Sequence, residues 1–539
     1  MKSWISNHPI VVLSLLSVLM FLPGLSSLPP LDRDESRFVQ ATTQMLETQN
    51  FLLPFYQETA RSKKPVGIYW LQSASTQTLS DAPWRQIWTY RLPSALAAWL
   101  AVLLTFAIGR ELFDRKTAFL AGGLLALTLL VAVEARIAKT DATLLATTLL
   151  AIWGLARAYA KDLEKAPAGW LAFCAFWGGL GLATLIKGPI GPAVVGLTLI
   201  GLWIGRGHLR SLKALKPSLG ILLLIAVVAP WPFALYASGE LGFIIEAAKE
   251  DLLPKLMGGQ ESHGAPMGFY FLTSYLTLWP ISLLALPALA WNWRNRLDAN
   301  VGFLLAWIIP SWFMFEWVPT KLVHYILPVF PALVLLIAHS ARQGLPPLTY
   351  KWAYRGQVLF WGLISVTLSA GFTVAAILFG SPLWIALPLT LIVGLGAIIG
   401  LRGAWQRDAQ QMLIAFCVLS IGTLPWMASA YAPSLTHFWL SPRIAEALPA
   451  DTTILAATGF HEPSLVFLTD TNTKLVSPEN VAIVLSQDPL AVGLVEKRKL
   501  KKFNVKAQEL GLETVVLDEL TGQNLANGRD MVLQLLRAK

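Results

Sequence analysis

Several ionisable residues of this 539-residue chain are of types that could together perform one reaction. Asp32, Asp34 and Glu35 follow directly after the first apolar run. Lys64 follows in the same loop, and further cations lie near the ends of later apolar runs, at Arg136, Lys139, Lys187 and Lys321. A carboxylate can deprotonate an acceptor, and fixed cations can stabilise a phosphate as it departs. These residues therefore indicate an enzyme that cleaves a phosphate-linked donor.

The elements that must position these residues are membrane helices. Only 14% of the residues are charged, whereas soluble proteins have about 25%, and the mean hydropathy is +0.56. Apolar runs of about 18 to 25 residues match the length that crosses the hydrocarbon of a bilayer. Many of the 22 Trp residues lie near the ends of these runs, as interfacial anchors do. The composition predicts a polytopic α-helical membrane protein and argues against a soluble core.

We predict 13 membrane spans from these runs. They cover residues 9–29, 86–109, 117–134, 141–159, 168–186, 189–205, 217–236, 267–291, 300–317, 322–340, 356–379, 381–401 and 410–432. The first run resembles a secretory signal, but it is long for a cleaved one, and we interpret it as a retained helix. An odd number of spans places the two termini on opposite sides of the membrane.

The distribution of Lys and Arg sets the predicted orientation. Every loop on the N-terminal side of the spans is basic, which makes that side cytoplasmic. The net charge of +10 is therefore a topology signal, and no nucleic-acid partner is predicted. The opposite side nevertheless collects charges of both signs at span ends. Such charges are costly near the membrane and are typical of a functional site.

Two loops on that opposite side have their own predicted structure. Residues 30–85 are predicted to form helices that lie in the membrane interface, because apolar and polar residues alternate there at helical spacing. The polar face of the first helix comprises Glu35, Arg37, Gln40 and Glu47. The loop 237–266 is predicted to be a mobile lid over a cavity at membrane level.

The composition changes after residue 433. We predict a transmembrane domain over 1–433 and a small soluble α/β domain over 434–539 on the outer side. Strands are predicted at 451–456, 463–468, 481–485 and 513–517, and an amphipathic helix at 498–510. The domain has no Gly-rich phosphate loop and no metal-ligand spacing, so its predicted role is structural or acceptor docking.

A transporter is the alternative from a different class of function. It would carry charges near the membrane midplane and show sequence repeats between its halves. The sequence shows no such repeat, and its charges gather on one face. These observations favour an enzyme acting on a lipid-linked substrate.

Six sequence blocks resemble those of the bacterial C-type glycosyltransferases, the family of lipid A aminoarabinose transferases and related protein O-mannosyltransferases. The blocks are LDRDESRF from Leu31, KPVGIYW from Lys64, ARIAKTD from Ala135, GLATLIKGP from Gly181, HGAP from His263 and KLVHYILPVFP from Lys321. They occur in the family's order and cover residues 30–335. The resemblance implies a C-type glycosyltransferase fold with about 13 transmembrane helices, interfacial helices and a small C-terminal α/β domain.

The resemblance also implies a function. A sugar would move from a polyprenyl-phosphate donor to lipid A or another envelope glycolipid, at the periplasmic face of the bacterial inner membrane. The N-terminus would be cytoplasmic and the C-terminal domain periplasmic, with membrane lipids as further partners. A protein O-glycosyltransferase or O-mannosyltransferase is the runner-up, and a transporter or flippase of lipid-linked sugars is a further alternative. Aminoarabinose, galacturonic acid, mannose and other hexoses all remain open as the sugar.

The blocks imply roles for particular residues. Asp34 matches the first acid of the family's acidic pair and is the implied catalytic carboxylate, with Asp32 as its rival. The implied substrate-binding residues are Arg37, Lys64, Tyr69, Arg136, Lys139, Asp141, Lys187, His263, Lys321, His324 and Tyr325. The cations among them would hold the donor phosphate, which gains charge in the transition state. A structural ion pair is the alternative for Asp141, and a structural histidine for His324.

The chain departs from the family pattern at Lys63, where the block usually has Glu. If that Glu and a loop histidine such as His263 hold a metal in some relatives, this chain lacks half of the pair. No metal ligand and no cofactor is therefore assigned, and a divalent-cation requirement is doubtful. The additional positive charge suits a more acidic donor or acceptor, such as one bearing a uronic acid or a phosphate.

Overall fold

The structure is a computed structural model that describes residues 7–31, 33–247, 249, 254, 264–344 and 351–539. Asp32, His263 and much of the predicted lid at 237–266 lie outside the described residues. The described chain is helical over most of its length and ends in a small mixed sheet.

The helices are labelled in chain order. The first twelve are α1 Pro9–Phe21, α2 Asp34–Thr48, α3 Gly67–Leu79, α4 Ile87–Leu112, α5 Arg115–Ala126, α6 Leu129–Glu134, α7 Asp141–Leu163, α8 Gly169–Lys187, α9 Ile190–Arg206, α10 Arg210–Ala214, α11 Pro217–Val228 and α12 Pro230–Ala237. The others are α13 Gly242–Ala247, α14 Phe269–Thr277, α15 Ala285–Arg294, α16 Ala299–Trp317, α17 Phe330–Arg342, α18 Lys351–Phe379, α19 Leu383–Gln406, α20 Ala409–Trp426, α21 Ala432–Ser434, α22 Leu440–Ala447, α23 Pro463–Leu468, α24 Pro478–Gln487 and α25 Leu500–Glu509.

Seven of the described helices are long and apolar enough to cross a membrane, and two bent helix pairs raise this number to nine. Each of the 13 predicted spans coincides with one helix or with two consecutive helices. Several are short or broken, however. The predicted span at 117–134 is interrupted between α5 and α6, and the chain bends by 119° between α14 and Ile281–Arg294. The number 13 therefore stays a prediction.

The first loop contains the two predicted helices, as α2 and α3. A two-residue hairpin of β1 (Phe55–Tyr56) and β2 (Thr59–Ala60) lies between them. Two residues of the predicted polar face of α2, Glu35 and Gln40, are buried against the rest of the protein. Glu35 is paired with Arg91 of α4, and the side-chain amide of Gln40 donates to Thr471 of the C-terminal part.

Close packing of α7 against α8 sets the geometry of the site. The two helices are joined by a short turn, so the first residue of α7 and the last residue of α8 meet at one end of the pair. Two glycines permit the approach. A Cβ on Gly154 would lie 2.6 Å from the carbonyl oxygen of Ala172, and one on Gly179 would lie 2.6 Å from the amide of Ala151.

The C-terminal sheet has the strand order β4-β3-β5-β7-β6. Its strands are β3 Leu455–Thr458, β4 Lys474–Leu475, β5 Val492–Glu496, β6 Thr514–Gln523 and β7 Asp530–Ala538. β3 runs parallel to both of its neighbours, and β7 runs antiparallel to β5 and β6. Helices cover both faces, with α22 and α23 on one and α24 and α25 on the other.

The predictions for this sheet were partly right. The helix at 498–510 and the strands at 451–456 and 513–517 correspond to α25, β3 and the start of β6. The strands predicted at 463–468 and 481–485 are wrong, because these residues lie in α23 and α24. Short apolar runs fit either structure. Pro463 and Pro478, each in the first turn of its helix, are the signal that favours a helix.

Candidate active site

The centre of the site is an ion pair between the start of α7 and the end of α8. Lys187 Nζ lies 2.6 Å from Asp141 Oδ1, and both side chains are about nine-tenths buried. The lysine ammonium also lies 4.9 Å from the ring centroid of Tyr325, within cation–π distance. Three sequence-predicted residues from separate blocks therefore meet at one point.

A second lysine extends this pair into a cluster. Lys139 Nζ lies 3.0 Å from Glu134 Oε1 and 3.8 Å from Asp141 Oδ2. His324 lies between the two carboxylates, with Nδ1 3.9 Å from Glu134 Oε1 and Nε2 3.7 Å from Asp141 Oδ2. Its Nδ1 is also 3.3 Å from Lys139 Nζ. Two lysines face two carboxylates, so the formal charges cancel when His324 is neutral. An incoming anion would thus meet cations that are already held in place.

The charge state of Lys139 follows from its neighbours. Burial lowers the pKa of Lys139, but the carboxylates of Glu134 and Asp141 outweigh that effect and raise the pKa above its ordinary value. The charge of Asp34 adds a smaller contribution in the same direction. Lys139 is therefore a fixed cation at physiological pH, and Asp34 is close enough for its charge to act on the cluster.

A cavity of about 570 Å³ opens beside this cluster. Its polar lining consists mainly of Lys63, Lys64, Asp141 and Lys187. Its apolar lining includes Leu144, Ile190, Ala193, Trp231, Phe243 and Phe315. A cavity whose lining combines several cations with a mostly apolar wall fits an amphipathic molecule that has an anionic head.

Lys64 and Tyr69 belong to the same sequence block of the first loop, but only Lys64 is among the described residues that line the cavity. Lys64 lines the cavity, and its ammonium donates to the carbonyl oxygen of Lys63 at 2.8 Å. Tyr69 is fully buried beneath the loop, where its hydroxyl accepts from Arg61 Nε at 3.2 Å. Tyr69 therefore supports the loop and is not among the described residues that line the cavity.

Arg37 is half-buried near the hairpin. Burial raises the pKa of Tyr56 to about 12, and the nearby charge of Arg37 opposes part of that rise. Arg37, Arg61 and the two lysines of the cavity make this side of the site strongly basic.

Two of the cations singled out in the sequence, Arg136 and Lys321, donate hydrogen bonds to backbone carbonyls. The buried guanidinium of Arg136 donates to the carbonyls of Met20, Pro23 and Ala132, and so fixes the end of α1. Lys321 Nζ donates to the carbonyls of Ala265 and Val318, each at 2.9 Å. Within the described part of the chain, neither residue lines the cavity. The contacts with backbone carbonyls hold both side chains in place, and the substrate binding predicted for them stays a prediction.

The two neighbouring acids of the first block, Asp34 and Glu35, have different surroundings. Asp34 is the first residue of α2 and is exposed, as a base that must reach an acceptor has to be. Glu35 is fully buried against Arg91.

Arg91 had no predicted role, although a charged residue inside the run 86–109 was the signal that could have identified it. Glu134 stood out in the sequence only as an ionisable residue at a span end.

The described residues do not contain any group of three or more His, Cys, Asp and Glu side chains that could hold a metal ion. His263 lies outside them. The cations that the described residues supply to the site are lysines and arginines.

Comparisons with known proteins agree with this geometry. Residues 63–233 match the family model described as dolichyl-phosphate-mannose-protein mannosyltransferase. The undecaprenyl phosphate-alpha-4-amino-4-deoxy-L-arabinose arabinosyl transferase of Aeromonas salmonicida is 28% identical over 449 residues, which are 81% of this chain and 79% of that protein. The chain is related to these sugar transferases. The resemblance inferred from the six blocks is thereby confirmed.

Solved structures show the same fold. The crystal structure of ArnT from Cupriavidus metallidurans in the apo state has a TM-score of 0.72 at 17% identity and covers 99% of this chain and 98% of its own. The same protein bound to undecaprenyl phosphate has a TM-score of 0.70, with the same identity and coverage. The predicted C-type glycosyltransferase fold, with its small C-terminal sheet domain, is confirmed.

Proposed function

We propose that this protein transfers a sugar from a polyprenyl-phosphate donor to lipid A or another envelope glycolipid. The observation that carries the proposal is the cavity, whose lining combines the Lys187–Asp141 pair and Lys64 with mostly apolar side chains. A polyprenyl phosphate has this amphipathic form, with an apolar chain and a phosphate head. The names of the relatives, which are undecaprenyl phosphate-dependent arabinosyl transferases, support the same donor class.

The reaction would be a single displacement. The acceptor oxygen forms a bond to the anomeric carbon of the sugar while the bond from that carbon to the phosphate oxygen breaks. Asp34 takes or orients the acceptor proton, and the leaving phosphate gains one negative charge. Lys187 and Lys64 stabilise that charge, and because they are held in place beforehand they lower the barrier rather than only tightening binding. Asp141 holds Lys187 in position.

We further propose the orientation and the domain boundaries expected from the sequence. The N-terminus lies in the cytoplasm, residues 1–433 form the transmembrane domain, and residues 434–539 form a periplasmic domain. The basic loops on the N-terminal side support this orientation. The active site would then face the periplasm, where lipid A precursors and lipid-linked sugars are both accessible.

A protein O-mannosyltransferase is the second candidate. The family model that matches residues 63–233 carries that description, and these residues include Lys64, Lys139, Asp141 and Lys187. The two candidates share the donor chemistry and differ only in the acceptor. The acceptor therefore has to be identified by experiment.

Mass spectrometry of lipid A and of envelope glycans and glycoproteins from a deletion strain tests the proposal. We expect loss of a single sugar from lipid A, restored by the wild-type gene and not by the Asp34→Asn variant. Loss of a sugar from a protein, with lipid A unchanged, would favour the second candidate. The purified protein would then be supplied with undecaprenyl-phosphate-linked aminoarabinose, galacturonic acid or mannose to identify the sugar. Unchanged envelope glycans and no turnover of any of these donors would contradict the transferase function.

A further inference from the structure

A side chain of the C-terminal domain is inserted between helices of the first loop and the membrane part. Phe467, near the end of α23, is fully buried in a cluster with Val39 of α2, Ile87 and Tyr90 of α4, and Ala138. Its ring meets that of Tyr90 edge-on, with 5.7 Å between the centroids and an angle of 87° between the planes. The side chain of Phe467 thus packs outside the hydrophobic core of its own domain.

Polar contacts surround the inserted ring. Arg85 donates to the carbonyl oxygen of Phe467 at 2.8 Å and pairs with Glu47 of α2 at 3.4 Å. The hydroxyl of Thr471 donates to Glu47 at 2.8 Å, and the amide of Gln40 donates to Thr471 at 2.8 Å. The segment 467–471 is therefore bonded to α2 both at Gln40 and near the end of the helix, at Glu47.

The hairpin provides a second attachment. The side-chain amide of Gln57 donates to the carbonyls of Thr471 and Thr473, at 3.1 and 2.7 Å. The backbone amide of Gln57 in turn donates to the side chain of Gln44 in α2, at 2.7 Å. Helix α2, the hairpin and the C-terminal domain are joined through these contacts.

The residues that Phe467 contacts are neighbours of the site. Val39 lies in the same helix as Asp34, a little more than one turn away, and Ala138 is adjacent to Lys139. The amide of Ala138 also donates to Glu35 Oε1 at 2.8 Å. One aromatic ring thus contacts both the helix that carries the candidate base and the segment that carries a cation of the cluster.

The start of α2 needs such support. Arg33, at its N-cap, has a φ of 65° and provides no side-chain cap for the helix. The position of Asp34 consequently depends on tertiary contacts, which are Glu35 with Arg91 on one side and Val39 with Phe467 on another. A displacement of about 1 Å in a reacting group can reduce a rate about 100-fold.

We propose that Phe467 is a positioning residue, through which the C-terminal domain holds Asp34 at its working distance from the Lys139 cluster. The inference rests on the proposed transferase function and adds a role for the C-terminal domain. It assigns Phe467 no contact with either substrate. Among the described residues, the proposed donor-phosphate residues Lys187 and Lys64 line the cavity, whereas Phe467 does not.

The test compares two Phe→Ala variants of the full-length protein. Phe467→Ala should lower kcat at least tenfold and leave the KM for the polyprenyl-phosphate donor within twofold, because the base is displaced and the phosphate site is not. Phe503→Ala is the matched control. Phe503 is fully buried in the same domain, but it packs between α25 and the sheet, and its substitution should leave kcat within twofold. Phe467→Leu, which keeps an apolar side chain in place, should recover most of the rate.

Hydrogen exchange provides a readout that does not depend on turnover. The amides of residues 34–40 should exchange faster in Phe467→Ala and at the wild-type rate in Phe503→Ala. Equal losses of kcat in both variants would show that only domain folding matters, and a normal rate in Phe467→Ala would also overturn the proposal. If Phe467→Ala does not fold, Arg85→Met must show the same loss of kcat with an unchanged donor KM, or the proposal is wrong. A wild-type protein without transferase activity would contradict the proposed function, whereas the exchange result would still decide the positioning role.

Discussion

Glu35 and Arg91 form a fully buried, two-point ion pair. Arg91 Nε lies 2.8 Å from Glu35 Oε1 and its Nη2 lies 2.8 Å from Oε2, with both side chains inaccessible to solvent. The same arginine donates to the carbonyls of Leu25, Leu28 and Pro29. The pair therefore anchors the start of α2 to α4, and it leaves the adjacent Asp34 as the exposed carboxylate.

Asp34→Asn should abolish transfer while expression and thermal stability stay near the wild-type values. The amide is almost the same size as the carboxylate but cannot accept the acceptor proton, so we expect kcat to fall at least 1000-fold, within the range of about 10²–10⁴ attributed to general base catalysis. Purified protein and steady-state transfer assays measure the loss. Asp32→Asn should keep substantial activity, and the reverse outcome would move the catalytic assignment to Asp32.

Glu35→Gln should instead destabilise the protein. It leaves the guanidinium of Arg91 buried without its counter-charge, which costs about 3–5 kcal/mol for a buried pair. Denaturant unfolding in detergent, followed by Trp fluorescence, measures the loss. The double variant Glu35→Gln/Arg91→Met should recover part of the stability because it removes the unpaired charge. A Glu35→Gln variant as stable as the wild type would argue against the anchoring role.

These two neighbouring acids show how far the sequence could predict the site. The sequence singled out the block containing Asp34 and Glu35, but sequence alone could not determine which acid faces a buried arginine. That depends on the rotation of α2 against α4. Asp141, Lys187 and Tyr325 come from three separate blocks, and the structure brings them together as residues of one site.

The helical part was more predictable than the sheet. Every predicted apolar run is helical because its length and composition permit little else in a membrane. The strand predictions at 463–468 and 481–485 failed because a run of about five apolar residues fits a buried strand or one face of a helix. β5 and β7 were not predicted. They are assigned by their pairing with distant strands, which local sequence patterns do not record.

Lys187→Gln should weaken both donor binding and turnover. It removes a cation that lines the cavity and leaves Asp141 without its partner, so we expect kcat/KM for the donor to fall at least 100-fold, or about 3 kcal/mol. Lys161→Gln is the control, because among the described residues the Lys161 ammonium pairs with Glu164, at the opposite end of α7. Donor titrations of both variants measure the difference. Equal effects of the two substitutions would exclude a specific phosphate contact by Lys187.

Glu134→Gln should introduce an alkaline loss of activity. The pKa of Lys139 is raised above its ordinary value of 10.5. The folded protein therefore keeps the ammonium proton up to that pH and loses it only at higher pH. The kcat/KM of the wild-type protein should therefore show no decline caused by deprotonation of Lys139 between about pH 7 and 9. Removing Glu134 removes the largest charge that raises this pKa, while burial still lowers it, so the rate should decline as the pH rises. The pH–rate profile of each protein measures this.

Glu316→Gln is the control for that profile. Glu316 is also a buried carboxylate, but it accepts from the amides of Gly268, Tyr270 and Phe271, away from Lys139. Its substitution should lower stability without adding an alkaline limb. An identical profile for Glu134→Gln and the wild type would show that Glu134 does not control the charge of Lys139.

Chelation should leave transfer unaffected, because the side chain of Lys63 supplies a positive charge at the position where the family's block usually has Glu. Lys63 lines the cavity beside Lys64, and a lysine ammonium repels a divalent cation at that point. Preincubation with EDTA should therefore leave the donor kcat/KM within twofold of its untreated value. Lys63→Glu should lower donor affinity, because it replaces a positive charge with a negative one near the phosphate, and added Mg²⁺, Mn²⁺ or Zn²⁺ should then begin to restore it. Inhibition of the wild-type protein by EDTA, reversed by one of these metals, would contradict the prediction and place a cation ligand elsewhere in the site.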